Sequence, residues 1–248
     1  MIDLHFHASP NGYKIAIFLE ESGLKYRIVP CDIARGDQFR PEYLKISPNN
    51  KMPAIVDHEP MFGGEAVSVF ESGAILCYLA EKIGRYLPAS GPDRVQVLSW
   101  LFWQVGGVGP MLGQLAHFKN HIDKELTYPL ERYTREAHRL YAVLDKRLEG
   151  REYITANYSI ADIACYPWIE LGFSRSLPHR VEHHVGVDLD DFPNVRRWIV
   201  TVSQRKAVQR AYEHEKLRYA NPPPFSEEDR QRLFMQSAQT VRNTVLNK

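Results

Sequence analysis

The stretch from Ile2 to Cys31 constrains the fold more than any other part of the chain. Ile2, Leu4 and Phe6 alternate with Asp3, His5 and His7, the period-two pattern of a short strand with one buried face. After Ala8, Ser9 stands as a helix N-cap with Pro10 at the first helical position, where its fixed φ and missing N–H do no harm. Ile15, Phe18 and Leu19 share one helical face, and Gly23 followed by Leu24 reads as a left-handed C′ glycine with its apolar partner, so the helix ends at about Ser22. Lys25 to Cys31 is a second strand. A strand, helix and strand this closely spaced imply a parallel, right-handed crossover.

The same reading continues to about residue 86. Pro41 to Ile46 forms a short helix, and Ser47-Pro48-Asn49-Asn50 is turn chemistry. Pro53 opens a third strand, Ala54 to Asp57. The strand Val67 to Phe70 pairs with it as an antiparallel hairpin, and Glu71 to Ile83 is helical, stopped by Gly84. The order βαβαββα gives a small mixed sheet covered by helices. The chain therefore divides into residues 1–86, a linker at 87–93, an all-helical domain at 94–220 and a C-terminal segment at 221–248. Turns fall near 121–126, 150–154 and 176–193, and Ser159-Ile160-Ala161-Asp162 has the form of a capping box. In the last segment, Asn221-Pro222-Pro223-Pro224 crosses the surface as polyproline. Ser226 with Asp229 then caps a final helix, whose stripe of Phe234, Ala238, Val241 and Val245 is expected to dock on the protein's own surface.

Charge excludes several partners. Lys and Arg total 31 against 30 Asp and Glu, so a net charge of +1 supplies no field for nucleic acid or an anionic membrane. Neither a secretory leader nor a run long enough to span a bilayer is evident. Three scattered cysteines, Cys31, Cys77 and Cys165, fit free thiols in a reducing compartment, which points to the cytoplasm. The histidine pairs His117/His121 and His5/His7 lack a third ligand, so no metal is expected.

The chemistry concentrates between Met52-Pro53 and Glu71-Ser72. A cis proline opening a strand has no N–H, and it can turn the N–H and C=O of Met52 toward a cleft, where they would bind an extended peptide edge-on. Glu71 and Ser72 stand at a helix N-terminus, whose free amides and dipole favour an α-carboxylate while the glutamate takes the neighbouring ammonium. Gln38, Arg40 and Lys51 lie in adjacent loops and suit a carboxylate at the ligand's other end. A thiol between these ends would fall at Ser9-Pro10-Asn11-Gly12, where donors at a helix N-terminus favour thiolate. Gly106, Gly107, Gly109 and Pro110 interrupt a strongly apolar helix, either for close packing or to leave room above that thiol.

These segments together resemble the cytosolic glutathione transferases, and among them the Nu-class bacterial glutathione-dependent disulfide-bond reductases. The resemblance spans roughly residues 1–215 and rests on Ser9-Pro10-Asn11-Gly12-Tyr13-Lys14, Gly36-Asp37-Gln38-Phe39-Arg40-Pro41-Glu42, Ile46 through Val56, Phe70-Glu71-Ser72-Gly73-Ala74-Ile75 and Trp103 through Met111. It implies a thioredoxin-like N-terminal domain followed by an all-helical domain. It also implies glutathione contacts from Asn11, Gln38, the Met52 backbone, Glu71 and Ser72, a homodimer, and Arg132 reaching the ligand from the partner subunit. Where the family usually has threonine this chain has Ser9, and where it has isoleucine or valine this chain has Met52.

With no Cys-x-x-Cys in the chain, reduction would use the thiol of glutathione itself, with Asn11 ahead of Ser9 as the thiolate donor. Two other readings stay open from sequence: a transferase conjugating electrophiles with Ser9 as the main donor, and a regulatory or scaffold protein that keeps the fold without useful catalysis.

Overall fold

The structure, a computed structural model, describes residues 1–120, 126–171, 187–214 and 226–245, with backbone alone for 242–245. The expected polyproline segment, His121 and most of the turn at 176–193 lie outside the described residues. The chain forms two compact units, one made of Met1–Ile75 with Arg210–Lys248 and the other of Leu76–Gln209.

In the first unit, β1 (Ile2–Phe6), β2 (Tyr26–Pro30), β3 (Ala54–Asp57) and β4 (Val67–Phe70) form one sheet in the order β2-β1-β3-β4. β1 is parallel to β2 and antiparallel to β3, which is antiparallel to β4. The alternation read from the sequence holds in part: Ile2, Leu4 and Phe6 are buried, but so is Asp3. Its carboxylate takes two hydrogen bonds from Arg27, at 2.5 and 2.8 Å, and faces His58 Nε2 at 2.9 Å. A buried charge is tolerable when paired in this way.

Helix α1 (Pro10–Ser22) starts at Ser9 and ends at Gly23, whose φ of 73° suits a glycine. Every residue from Gly12 to Leu19 is buried. At Gly12 a Cβ would stand 2.2 Å from the His7 carbonyl oxygen, so only glycine lets α1 begin this close to the end of β1. A 3₁₀ turn (Asp37–Phe39) and α2 (Pro41–Leu44) follow β2. Helix α3 is Ser72–Ile83.

The helical unit contains α4 (Gly91–Trp103), α5 (Gly109–Asn120), α6 (Thr127–Leu148), α7 (Ile160–Leu171) and α8 (Pro193–Ser203). Between α4 and α5 the glycine-rich stretch is a π-helical segment, Gln104–Val108. The Trp168 ring lies 3.5 Å from a Cβ placed on Gly109 and 3.3 Å from one on Gly113, so these two glycines serve close packing. Asp162 is fully buried and accepts from the amides of Ile154 (2.9 Å) and Ser159 (3.1 Å) and from Trp198 Nε1 (3.0 Å). The Ser159 hydroxyl accepts from the Ala161 amide at 3.2 Å, one residue earlier than a capping box would have it.

Helix α9 (Lys206–Glu213) is followed by α10 (Glu227–Phe234) and α11 (Ala238–Val245). The Ser226/Asp229 capping box forms as expected, but the single C-terminal helix is broken at 235–237. Phe234, Ala238 and Val241 are exposed, and the side chain of Val245 lies outside the described ones.

Candidate functional site

Strand register gathers the candidate residues. His5 lies opposite Ala54 and Val29, and Ala54 lies opposite Phe70. The end of β1 leading to Ser9 and Asn11, the start of β3 after Met52-Pro53, the end of β4 before Glu71-Ser72 and the end of β2 before the 32–40 loop therefore share one end of the sheet.

The Met52–Pro53 peptide bond is cis. Immediately before it, the Lys51 carbonyl accepts from the Tyr43 hydroxyl at 2.7 Å and from the Ser47 hydroxyl at 3.0 Å. Met52 itself packs on the Cys31, Tyr43 and Ala54 cluster. Its N–H and C=O have no partner among the described residues. An unpaired backbone edge at a sheet end accepts an extended peptide.

Glu71 stands just outside α3 with φ of 67°, in the left-handed region that a residue with a Cβ rarely adopts. Its carbonyl accepts from the Ile75 amide at 2.9 Å, and its exposed carboxylate accepts from Asn49 Nδ2 at 3.0 Å. The turn at 47–50 thus orients the acid, a role for Asn49 that turn chemistry alone did not suggest.

Ser72 is buried, and its hydroxyl oxygen accepts from Lys14 Nζ at 3.1 Å. Lys14, at 1% exposure, is a buried ammonium on a wholly buried stretch of helix. Because the Ser72 oxygen receives that bond, its own proton is directed elsewhere, and no acceptor for it occurs among the described residues. Ser72 is therefore a polarised donor at a helix N-terminus with a positive charge behind it, a strong setting for a carboxylate. Glu71 beside it supplies the opposite charge. Lys14 was part of a quoted motif without a role; a lysine inside an otherwise apolar helical face was the available signal.

Gln38 is 4% exposed, and its Nε2 donates to the Ile33 carbonyl at 3.3 Å while its Oε1 has no partner among the described residues. An orphaned buried acceptor calls for a donor. The open valence of Gln38 in this form is that of an acceptor. Arg40 pairs with Asp37 at 2.8 Å and is otherwise exposed, as is Lys51. Arg132 lies exposed on α6 in the helical unit, one turn before Glu136, whose carboxyl is held below the usual range by its hydrogen bonds from Arg139 with a smaller contribution from Arg132.

At the start of α1, the Ser9 hydroxyl accepts from the Gly12 amide and donates to the His7 carbonyl, both at 3.4 Å. It is already committed to the cap. Asn11 sits half-buried in the first helical turn. Two of the chain's three thiols are poorly suited as nucleophiles: burial pushes Cys31 up to about 12 and Cys77 above the usual thiol value. No disulfide links Cys31, Cys77 and Cys165. No group of three or more metal-binding side chains occurs among the described residues, and no helix there is long and apolar enough to cross a membrane.

Comparison with known proteins accounts for this arrangement. Residues 2–81 match the glutathione S-transferase N-terminal domain and residues 115–206 the glutathione S-transferase C-terminal domain. The disulfide-bond oxidoreductase YfcG of Escherichia coli K12 is 51% identical over 212 residues, covering 85% of this chain and 94% of that protein. A glutathione transferase family member from Pseudomonas fluorescens, solved with two glutathiones bound, is 44% identical, with a TM-score of 0.77 over 86% of this chain and 92% of that one. A glutathione transferase from Pseudomonas putida, with one glutathione disulfide per subunit, is 41% identical, with a TM-score of 0.77 over 85% and 90%. With both domain models matched and half of all aligned residues shared with YfcG, the chain belongs to the glutathione S-transferase family.

Proposed function

We propose that this protein is a glutathione-dependent disulfide-bond reductase, in which two glutathione thiols are oxidised to one glutathione disulfide while a substrate disulfide is reduced to two thiols. The observation that carries this reading is the pairing of opposite charges at the start of α3. Glu71 offers a carboxylate, and Ser72, backed by Lys14, offers a polarised donor, beside the open Met52 edge. A free amino-acid head group followed by an extended peptide matches that order, and the γ-glutamyl end of glutathione has this form. YfcG, named for disulfide-bond oxidoreductase activity, supports the reaction type.

Each residue then has a definite task. Glu71 takes the ligand's ammonium, and Ser72 with the α3 amides takes the α-carboxylate. Met52 pairs its N–H and C=O with the cysteinyl backbone, with Pro53 fixing the edge. Gln38 accepts an N–H through Oε1, and Lys51 and Arg40 face the terminal carboxylate. Asn11 and the first amides of α1 stabilise the thiolate, with Ser9 as the cap that holds them in place. Thiolate exchange needs no cysteine from the protein, in keeping with the raised pKa of Cys31.

The assembly is a homodimer in which Arg132 reaches the partner's ligand. Met61 and Phe62 in one unit, and Val95 and Phe102 in the other, are exposed apolar surface that a second copy would cover. The compartment is the cytoplasm, where free thiols persist.

The test is reduction of hydroxyethyl disulfide with glutathione as the sole reductant. Turnover that saturates in glutathione and falls in Glu71→Gln is expected. No rate above the uncatalysed background at saturating glutathione overturns the reading.

A further inference from the structure

The C-terminal extension lies beyond both family domains, which end at residue 206. Helix α10 contains no buried residue, and Met235 after it is exposed. Arg232 ties it to the loop after β2. Arg232 Nη1 donates to the Ala34 carbonyl at 2.5 Å, and its guanidinium is oriented by Glu228 at 2.7 Å and Asp229 at 3.3 Å. Its aliphatic stem lies over Gly36, where an added Cβ would come within 3.0 Å of Arg232 Cδ.

The loop it grips carries Gln38. Inside that loop the Asp32 carboxylate accepts from the amides of Ala34 (3.0 Å) and Arg35 (3.3 Å), and the Asp37 carboxylate accepts from the Asp32 amide (2.8 Å). The Ile33 carbonyl accepts from the Gly36 amide at 3.2 Å and from Gln38 Nε2 at 3.3 Å. The next carbonyl, that of Ala34, has Arg232 as its partner among the described residues. Two consecutive carbonyls thus receive one bond from Gln38 and one from a residue 198 positions away.

We infer that Arg232 is a positioning residue for the glutathione site, by which the C-terminal extension holds the 32–38 loop in the form that presents the Gln38 acceptor. The inference rests on the function proposed above. Arg232 does not belong to the binding set itself. Without its bond the loop visits other conformations, and apparent affinity falls by the fraction of time the competent form is lost. Chemistry at the α1 end is untouched, so KM should move and kcat should not.

The experiment uses the full-length chain with Arg232→Ala, Arg232→Lys and Arg232→Met, the last keeping an apolar stem over Gly36 while removing every donor. Steady-state kinetics with hydroxyethyl disulfide, calorimetry with glutathione and amide exchange over 32–39 are the readouts. Arg232→Ala and Arg232→Met should raise KM and Kd for glutathione roughly three- to tenfold, with kcat within about twofold. Exchange should accelerate at 32–39, and Arg232→Lys should fall between. If wild-type protein binds glutathione and the Ala and Met variants match it in KM, Kd and loop exchange, the inference is overturned while the proposed function stands. Equal losses of kcat and thermal stability without a change in KM overturn it as well, since they mark a purely structural role. If the wild-type protein binds no glutathione, the function falls, and the positioning role with it.

Discussion

Lys14→Met tests whether the charge behind Ser72 tunes ligand binding. The Lys14 ammonium is 1% exposed and donates to Ser72 at 3.1 Å, and Ser72 is itself buried. A hydrogen bond involving a charged group is worth about 1.5–3 kcal/mol, which corresponds to roughly 10- to 150-fold in a dissociation constant. That energy serves the ligand's carboxylate, because the Ser72 proton is directed outward only while Lys14 occupies its oxygen. Methionine fills a similar volume without a charge or a donor. Glutathione affinity should therefore weaken at least about tenfold. Calorimetry on Lys14→Met, Ser72→Ala and the double variant measures the coupling: if Lys14 acts through Ser72, the double variant binds no worse than the weaker single one. Wild-type affinity in Lys14→Met would refute the reasoning, whatever its stability.

Three further outcomes follow from the geometry. Ser9→Ala should cost about 1 kcal/mol of stability as a lost N-cap, and it should reduce disulfide reduction less than Asn11→Ala does, as urea melts and initial rates will show. Arg27 and His58 hold the Asp3 carboxyl down at about 2, so the stability it confers is present above about pH 4 and lost as pH falls toward 2; Asp3→Asn should flatten acid unfolding in that window. With Arg27 largely exposed, the effect is on the order of 1–2 kcal/mol. Asp162→Ala strands the amides of Ile154 and Ser159 and the Trp198 indole, so chemical denaturation should register a loss of about 3 kcal/mol or more.

What the sequence revealed and what it hid divide along the range of the interactions involved. The strands, the Ser9 cap, the Gly23 stop and the Ser226/Asp229 box depend on residues within a few positions of one another, and each stands where local pattern put it. The convergence of Met52, Glu71 and Ser72 was legible because two adjacent strands carry them to the same sheet end. Lys14 on Ser72, Asn49 on Glu71 and Arg232 on Ala34 span 58, 22 and 198 positions, and no periodicity reports such pairs. The C-terminal segment makes the point physically. The spacing of Phe234, Ala238 and Val241 argued for one continuous helix, but the helix breaks at 235–237. Arg232 supplies a polar tether there, on the Ala34 carbonyl of the 32–38 loop. Long-range polar pairs of this kind decide where the site's charges point, so the least legible contacts are also the ones that tune recognition.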